Sequence, residues 1–215
     1  DTAKPQVIKH SPPSWATPFA KPPQAPVKAH SPSDLGGDKV LPGGAPQGAE
    51  NAKRMGTAVH RLLEVLPNAP QDQWDKIANR LIEADIRTVA CQEARAVLQR
   101  QELAHIFGPE SLAEVDITAH LPELNGDPIL GSIDRLLVSS SRVLAVDFKT
   151  NQIVPNEAAQ VPSGLLRQMG AYAAALSQIY PDHEIETAIL WTKTLELMPL
   201  PQDLVISALA DTSLT

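Results

Sequence analysis

The chain is poor in the residues that would make it secreted, membrane-borne or strongly basic. Its 215 residues contain one cysteine, Cys91, so no internal disulfide can form and no cluster held by four thiolates can be built. That usage fits a reducing cytoplasm. Lys and Arg number 18 against 25 Asp and Glu, a formal net charge of −7. Affinity for a phosphate backbone comes from clustered cations releasing counterions, so this balance argues against strong autonomous nucleic-acid binding. There is no apolar run long enough for a bilayer and no charged-plus-apolar leader, and no membrane partner is expected. The chain opens on Asp1 rather than Met and is read as a piece of a longer protein. Internal repeats, a P-loop and helicase motifs are absent, which places ATP hydrolysis outside this piece.

What is present is enough for one domain. With 43% apolar residues, the chain can bury a core of ordinary size but not two large ones. Half of the 20 prolines fall in the first 50 residues, without any sustained apolar period. Residues 1–50 are therefore expected to form an extended, partly polyproline-like linker, and residues 51–215 the folded domain. Trp15 and Phe19 within that linker are expected to cover an apolar patch. From Ala52 to Phe107 apolar residues recur at spacings of three and four, as in Trp74, Ile77, Leu81 and Ala84, predicting two or three core-facing helices. Strands are expected over 112–121, 129–138 and 143–148, then a helix over 163–179 and a strand near 186–192. A short closing element is expected after Pro199. This order predicts an α/β fold, a mixed central sheet flanked by helices, with an added helical segment.

The chemistry concentrates in Gly131-Ser-Ile-Asp134-Arg-Leu-Leu-Val138 and Val143-Leu-Ala-Val-Asp147-Phe-Lys149-Thr150. The Ser139–Arg142 turn between them predicts an antiparallel hairpin. Side chains at i and i+2 share a strand face, so Asp147 and Lys149 stand side by side, with Asp134 converging from the partner strand. Two carboxylates suit a hard cation such as Mg²⁺ or Mn²⁺, and a neighbouring lysine can steady an attacking water and neutralise charge on phosphorus. Taken alone, Asp-x-Lys on a strand is more often a solvated pair. Val143, Leu144, Val146 and Phe148 shift the balance, because charges ending a buried strand are costly unless paired or metal-bound. The hairpin reads as a metal-dependent nuclease centre.

Four motifs in order extend that reading: Gly56-x-x-x-His60, Gly131-x-Ile-Asp134-Arg135, Asp147-x-Lys149-Thr150 and Gln168-x-x-x-Tyr172. Together they resemble the RecB-like nucleases of the PD-(D/E)XK superfamily over about residues 50–200. Within that family the chain is most similar to the carboxy-terminal nuclease domain of an AddA-type helicase-nuclease subunit, a likeness shared by Ser31-Pro-Ser-Asp-Leu35 and Leu190-Trp-Thr192. The resemblance implies a restriction-endonuclease-like core. It implies Mg²⁺, with Mn²⁺ as substitute, on Asp134, Asp147, the Phe148 carbonyl and the His60 imidazole, and Lys149 as catalytic lysine. Gln168 and Tyr172 would line the cleft and orient the lysine or a DNA phosphate, with Glu114 a further acidic neighbour. Phe148 departs from the family's usual Tyr but keeps the carbonyl. On their own residues, His60 on an apolar helix stripe and Tyr172 beside Leu165 and Leu176 read equally as packing. The single cysteine excludes the iron–sulfur cluster found in some relatives.

The expected function is metal-dependent hydrolysis of DNA phosphodiesters, of exonuclease type, in a bacterial cytoplasmic repair helicase-nuclease. The expected partners are single-stranded DNA, the helicase portion of the same polypeptide and an AddB-type subunit. Basic candidates near the site are Arg135, Lys149 and Arg167. The alternatives are a non-catalytic scaffold or DNA-docking module of the same fold and a small stand-alone exonuclease.

Overall fold

The computed structural model describes residues 29–41 and 48–212; Trp15 and Phe19 lie outside them. Three helices come first: α1 (Ala49–Val65), α2 (Trp74–Leu81) and α3 (Ala84–Leu98), followed by a 3-10 helix over Gln101–Phe107. Then follow β1 (Ser111–His120), β2 (Pro128–Val138), β3 (Arg142–Lys149), α4 (Ser163–Ile179), β4 (Glu184–Trp191), β5 (Glu196–Leu200) and α5 (Gln202–Ala210). The strands form one sheet in the order β1-β2-β3-β4-β5. Only β3 and β4 run parallel, joined through α4, so the sheet is mixed as expected. Among the described residues, no helix is long and apolar enough to cross a membrane.

The sheet separates two cores. One face packs on α4 and α5 through Ile133, Ala145, Met169, Tyr172, Ile189 and Trp191. The other packs on the amino-terminal helices through Val59, Leu62, Leu63, Ala94, Val146 and Phe148. Val59, Leu62 and Leu63 form one buried stripe of α1 that Leu66 continues just past its end, each contributing roughly 1.5–3 kcal/mol of burial. This stripe fixes the height of α1 over the sheet. It thereby sets where His60, on the neighbouring stripe, can reach.

Two features differ from the sequence expectation. The first is β5, a five-residue strand containing Pro199. It lies at the sheet edge, where a proline is tolerated, and Leu195 at φ 58° makes the turn into it. The second is that residues 29–41, assigned to the linker, are built into the fold. His30 forms a bridge with Ile129, the Asp38 carbonyl accepts from the Gly164 amide at 2.8 Å, and Leu35 is buried. Gly131 explains the docking, since a Cβ there would meet Pro32 Cδ at 2.8 Å.

Gly170 plays the corresponding part between α4 and α5. A Cβ on it would lie 2.2 Å from the Val205 carbonyl oxygen, a backbone atom that cannot swing aside. Gly170→Ala is expected to lower stability by about 1–3 kcal/mol, the usual range for overpacking. A urea titration at constant m-value checks this, and an unchanged midpoint would refute the close helix crossing.

Candidate active site

The site is made by two ladders failing at the same level. β2 and β3 pair from Val138↔Val143 up to Arg135↔Val146 and no further; continuing that register would oppose Asp134 and Asp147. β1 and β2 pair at Ala113↔Arg135 and Val115↔Ile133 but skip the step between, Glu114 and Asp134. Glu114, Asp134 and Asp147 thus occupy one row across three strands where backbone pairing is interrupted. Glu114 has φ 49°, a left-handed conformation costing a non-glycine residue roughly 1–2 kcal/mol, and such strain gathers at functional sites. The side-chain alternation of β2 breaks there too. Ile133 and Leu136, three apart, both enter the α4-side core, so Asp134 and Arg135 are both free to turn toward α1.

The gap is filled by directed contacts. The Phe148 amide donates to Asp134 Oδ2 at 2.5 Å, occupying the position a β2–β3 ladder bond would have taken. Asp134 Oδ1 lies 3.2 Å from His60 Nδ1. Gln168 Nε2 donates to Asp147 Oδ1 at 2.7 Å and reaches the Tyr172 hydroxyl at 3.3 Å. Tyr172 in turn donates to the Ser132 carbonyl at 2.6 Å. Asp147 Oδ2 pairs with the Lys149 ammonium, yet no donor is aligned on that buried oxygen as a hydrogen bond.

Electrostatics push the two aspartates apart. For Asp134, burial opposes the charge most strongly, but the His60 imidazole, Lys149 and the Phe148 amide outweigh it and hold the carboxyl below its usual range. For Asp147, burial dominates and the Asp134 charge adds to it, against Lys149, so its carboxyl is pushed up. Burial works against a charged His60, but the two aspartates overcome it and raise the imidazole. Burial and then Asp134 raise Glu114. Crowded carboxylates whose charges resist coexistence are what a divalent cation would relieve.

The donor set fits such a cation. Ligand atoms of His60, Glu114 and Asp134 all lie within 4.8 Å of one another, and Asp147 supplies a buried carboxylate oxygen with no hydrogen bond. Oxygens dominate, suiting Mg²⁺ or Mn²⁺, and the imidazole leans toward Mn²⁺. A cleft of about 380 Å³ opens here, lined by Gly56, Thr57, His60, Arg61, Glu114 and Asp134 among others. Gly56 lets α1 approach the strand end, since a Cβ would sit 3.3 Å from Thr150 Oγ1.

The residues expected at the site divide accordingly. Asp134, Asp147, Lys149, His60, Gln168 and Tyr172 come together. Gln168 and Tyr172 are buried on the α4 side, where their contacts run to Asp147 and Ser132. The Phe148 ring is buried and stands edge-on to His60 at 5.6 Å. Arg135 is a correction: it is only 2% exposed, donates to the Leu63 carbonyl at 2.7 Å, and lies over the Phe107 ring. Arg167 is likewise directed at the Leu35 and Asp211 carbonyls. Neither is a free cation for a phosphate. Sequence reasoning missed Glu93 of α3, a buried carboxylate engaged by Thr192 and Lys193. The Thr192 amide donates to the Lys149 carbonyl at 3.0 Å, so this cluster anchors the strand end bearing Lys149.

A mixed sheet flanked by helices, with Asp134, Asp147 and Lys149 gathered where its central hairpin splays, defines a restriction-endonuclease-like fold. The profile of the PD-(D/E)XK nuclease superfamily matches residues 35–199, and the chain belongs to that superfamily. No curated protein matches it.

Proposed function

We propose that this domain hydrolyses phosphodiester bonds of single-stranded DNA with Mg²⁺ or Mn²⁺, as the nuclease part of a bacterial double-strand-break repair helicase-nuclease of AddA type. The observation that carries the reading is the row of Glu114, Asp134 and Asp147, its two aspartates buried and Glu114 exposed to an open cleft, with Lys149 at its edge. His60, Glu114, Asp134 and Asp147 would hold the cation, and the Phe148 carbonyl is a further candidate. When bound there, it would polarise the phosphoryl group and make a nearby water more acidic.

The chain's own residues do the rest. Gln168, fixed through Tyr172 to the Ser132 carbonyl, locks the Asp147 carboxylate in one rotamer, an outer hydrogen bond of the kind that orients a ligand. Lys149 places its ammonium beside Asp147, where it can stabilise the charge that develops on phosphorus-bound oxygens as water enters in line and the leaving oxygen departs. The net charge of −7 is tolerable if an attached helicase and an AddB-type partner deliver the strand, since local concentration then replaces affinity.

Cleavage of end-labelled single-stranded DNA tests this, with Mg²⁺, Mn²⁺ or EDTA and with Lys149→Ala. Degradation that requires both cation and lysine is expected, with activity falling by about 10²–10³-fold in the variant. A folded protein that neither binds Mn²⁺ in calorimetry nor cuts would sink the nuclease reading in favour of a non-catalytic scaffold.

A further inference from the structure

The cleft above Asp134 does not end at the carboxylates. A second cavity, of about 440 Å³, lies along α1, and Thr57 and Arg61 line both. Its apolar part is made by Ala58, Leu81, Ile82 and Ile86, its polar part by Lys53 and Arg54 against Glu50 and Glu83. Leu81, the last residue of α2, is 40% exposed and presents its side chain to this cavity. Arg54 is engaged by Glu83 and Asp85, which ties α1 to the α2–α3 corner and builds the cavity wall. Lys53, Thr57 and Arg61 follow one another at four-residue intervals, about 6 Å apart along the helix axis, and all three are exposed.

We propose that this α1 face is the track for the DNA strand on one side of the scissile phosphate, and that the second cavity takes one unstacked base. The proposal rests on the nuclease reading and adds the substrate's form to it. Lys53 and Arg61 meet backbone phosphates, and Thr57 can donate its hydroxyl to one. Arg61 pairs with Glu64, but a solvent-screened pair three residues apart on a helix surface is weak, so a phosphate can displace it. The apolar wall offers a surface to a base face without reading its edge, so the site is tolerant of sequence. A base can enter only if it is unpaired, which selects single strands over duplex. Arg54 lies roughly 9 Å along α1 from His60, two or three nucleotides at about 3.4 Å each for a stacked strand. Three cations, Lys53, Arg54 and Arg61, stand among four carboxylates, Glu50, Glu64, Glu83 and Asp85, a balance that gives a weak grip, suited to a strand that must move on after each cut.

The test is fluorescence anisotropy in Ca²⁺, with a thymidine dinucleotide, an oligothymidylate of about 10 nucleotides and a duplex of that length. The proteins are the unaltered chain, Lys53→Ala/Arg61→Ala and Leu81→Glu, each checked for native melting. The single strand should bind tighter than the duplex. The double variant should weaken the longer strand by about tenfold and flatten its salt dependence by about 1.4 in log–log slope, 0.7 for each phosphate no longer neutralised. Leu81→Glu should weaken it comparably, and both effects should grow with strand length. Weakening that ignores length, equal affinity for duplex, or variants that bind like the original would overturn the track. Hydrolysis of bis(4-nitrophenyl) phosphate by the unaltered chain, with and without Mn²⁺, reports separately on the nuclease reading, because that diester is too small to reach the second cavity.

Discussion

Asp147→Asn will cut cleavage by about a thousandfold while leaving the metal-free protein at least as stable as the original. The amide keeps an oxygen for the Gln168 donor, so the hydrogen bond that holds the side chain at 2.7 Å survives. What disappears is a charge that burial and the neighbouring Asp134 carboxylate both disfavour. A buried carboxyl whose pKa is raised costs stability once the pH exceeds its unfolded value, and at neutral pH that cost falls on the folded state. Removing the pairing with Lys149 works the other way but is outweighed, since the carboxyl is raised in spite of that lysine. Activity runs opposite to stability because the same charge is needed to hold a cation; a drop of about a thousandfold is expected, as for removal of a single strong electrostatic interaction. Melting in EDTA and in Mn²⁺ separates the two effects. The unaltered chain should gain stability from Mn²⁺ by mass action, and the variant should gain much less. A variant that melts several degrees lower in EDTA would mean that Asp147 is a structural ion-pair partner.

Much of this arrangement was readable from residue order. The β2–β3 hairpin showed itself through two apolar runs around Ser139–Arg142, and the Ser139 amide and hydroxyl do close that turn on the Arg142 carbonyl. Helix α4 spans the residues its periodicity marked, Ser163–Ile179. The less legible features depend on departures from period. Strict alternation puts Ile133 and Arg135 on one face, whereas the kink at Asp134 puts Ile133 with Leu136. The same kink is what brings Asp134 over to His60. Glu114 gave no sign of its left-handed backbone, because nothing in a run such as Leu112–Ile117 marks one residue as unpaired. The docking of Pro32 and Leu35 was hidden by the prolines around them, which read as linker. Its key was a glycine on another element, Gly131, whose missing side chain makes the room.

Arg135 shows how far a motif can be followed before packing has to be known. It stands next to a candidate metal ligand in a chain short of cations, and charge arithmetic alone would assign it to DNA. The structure gives it a different task. Its guanidinium caps the end of α1 through the Leu63 carbonyl at 2.7 Å, reaches Ser111 Oγ at 3.3 Å, and covers the Phe107 ring with 5.1 Å to the centroid. Burial pulls its pKa down against nearby carboxylates, Glu114 first, so the charge is an expense that the packing sustains. Arg135→Ala is therefore expected to destabilise by about 3 kcal/mol. The change strips a hydrogen bond from a buried carbonyl, removes the cation–π interaction and empties the space between β2, α1 and the Gln101–Phe107 helix. Arg135→Met keeps most of the volume without the charge and should recover about half, since burying a charge returns little over an apolar isostere. Urea unfolding measures both. The salt slope of single-strand binding by the folded fraction should stay as it was in either variant. Native stability with a shallower slope would return Arg135 to the DNA interface and would require its side chain to leave the core.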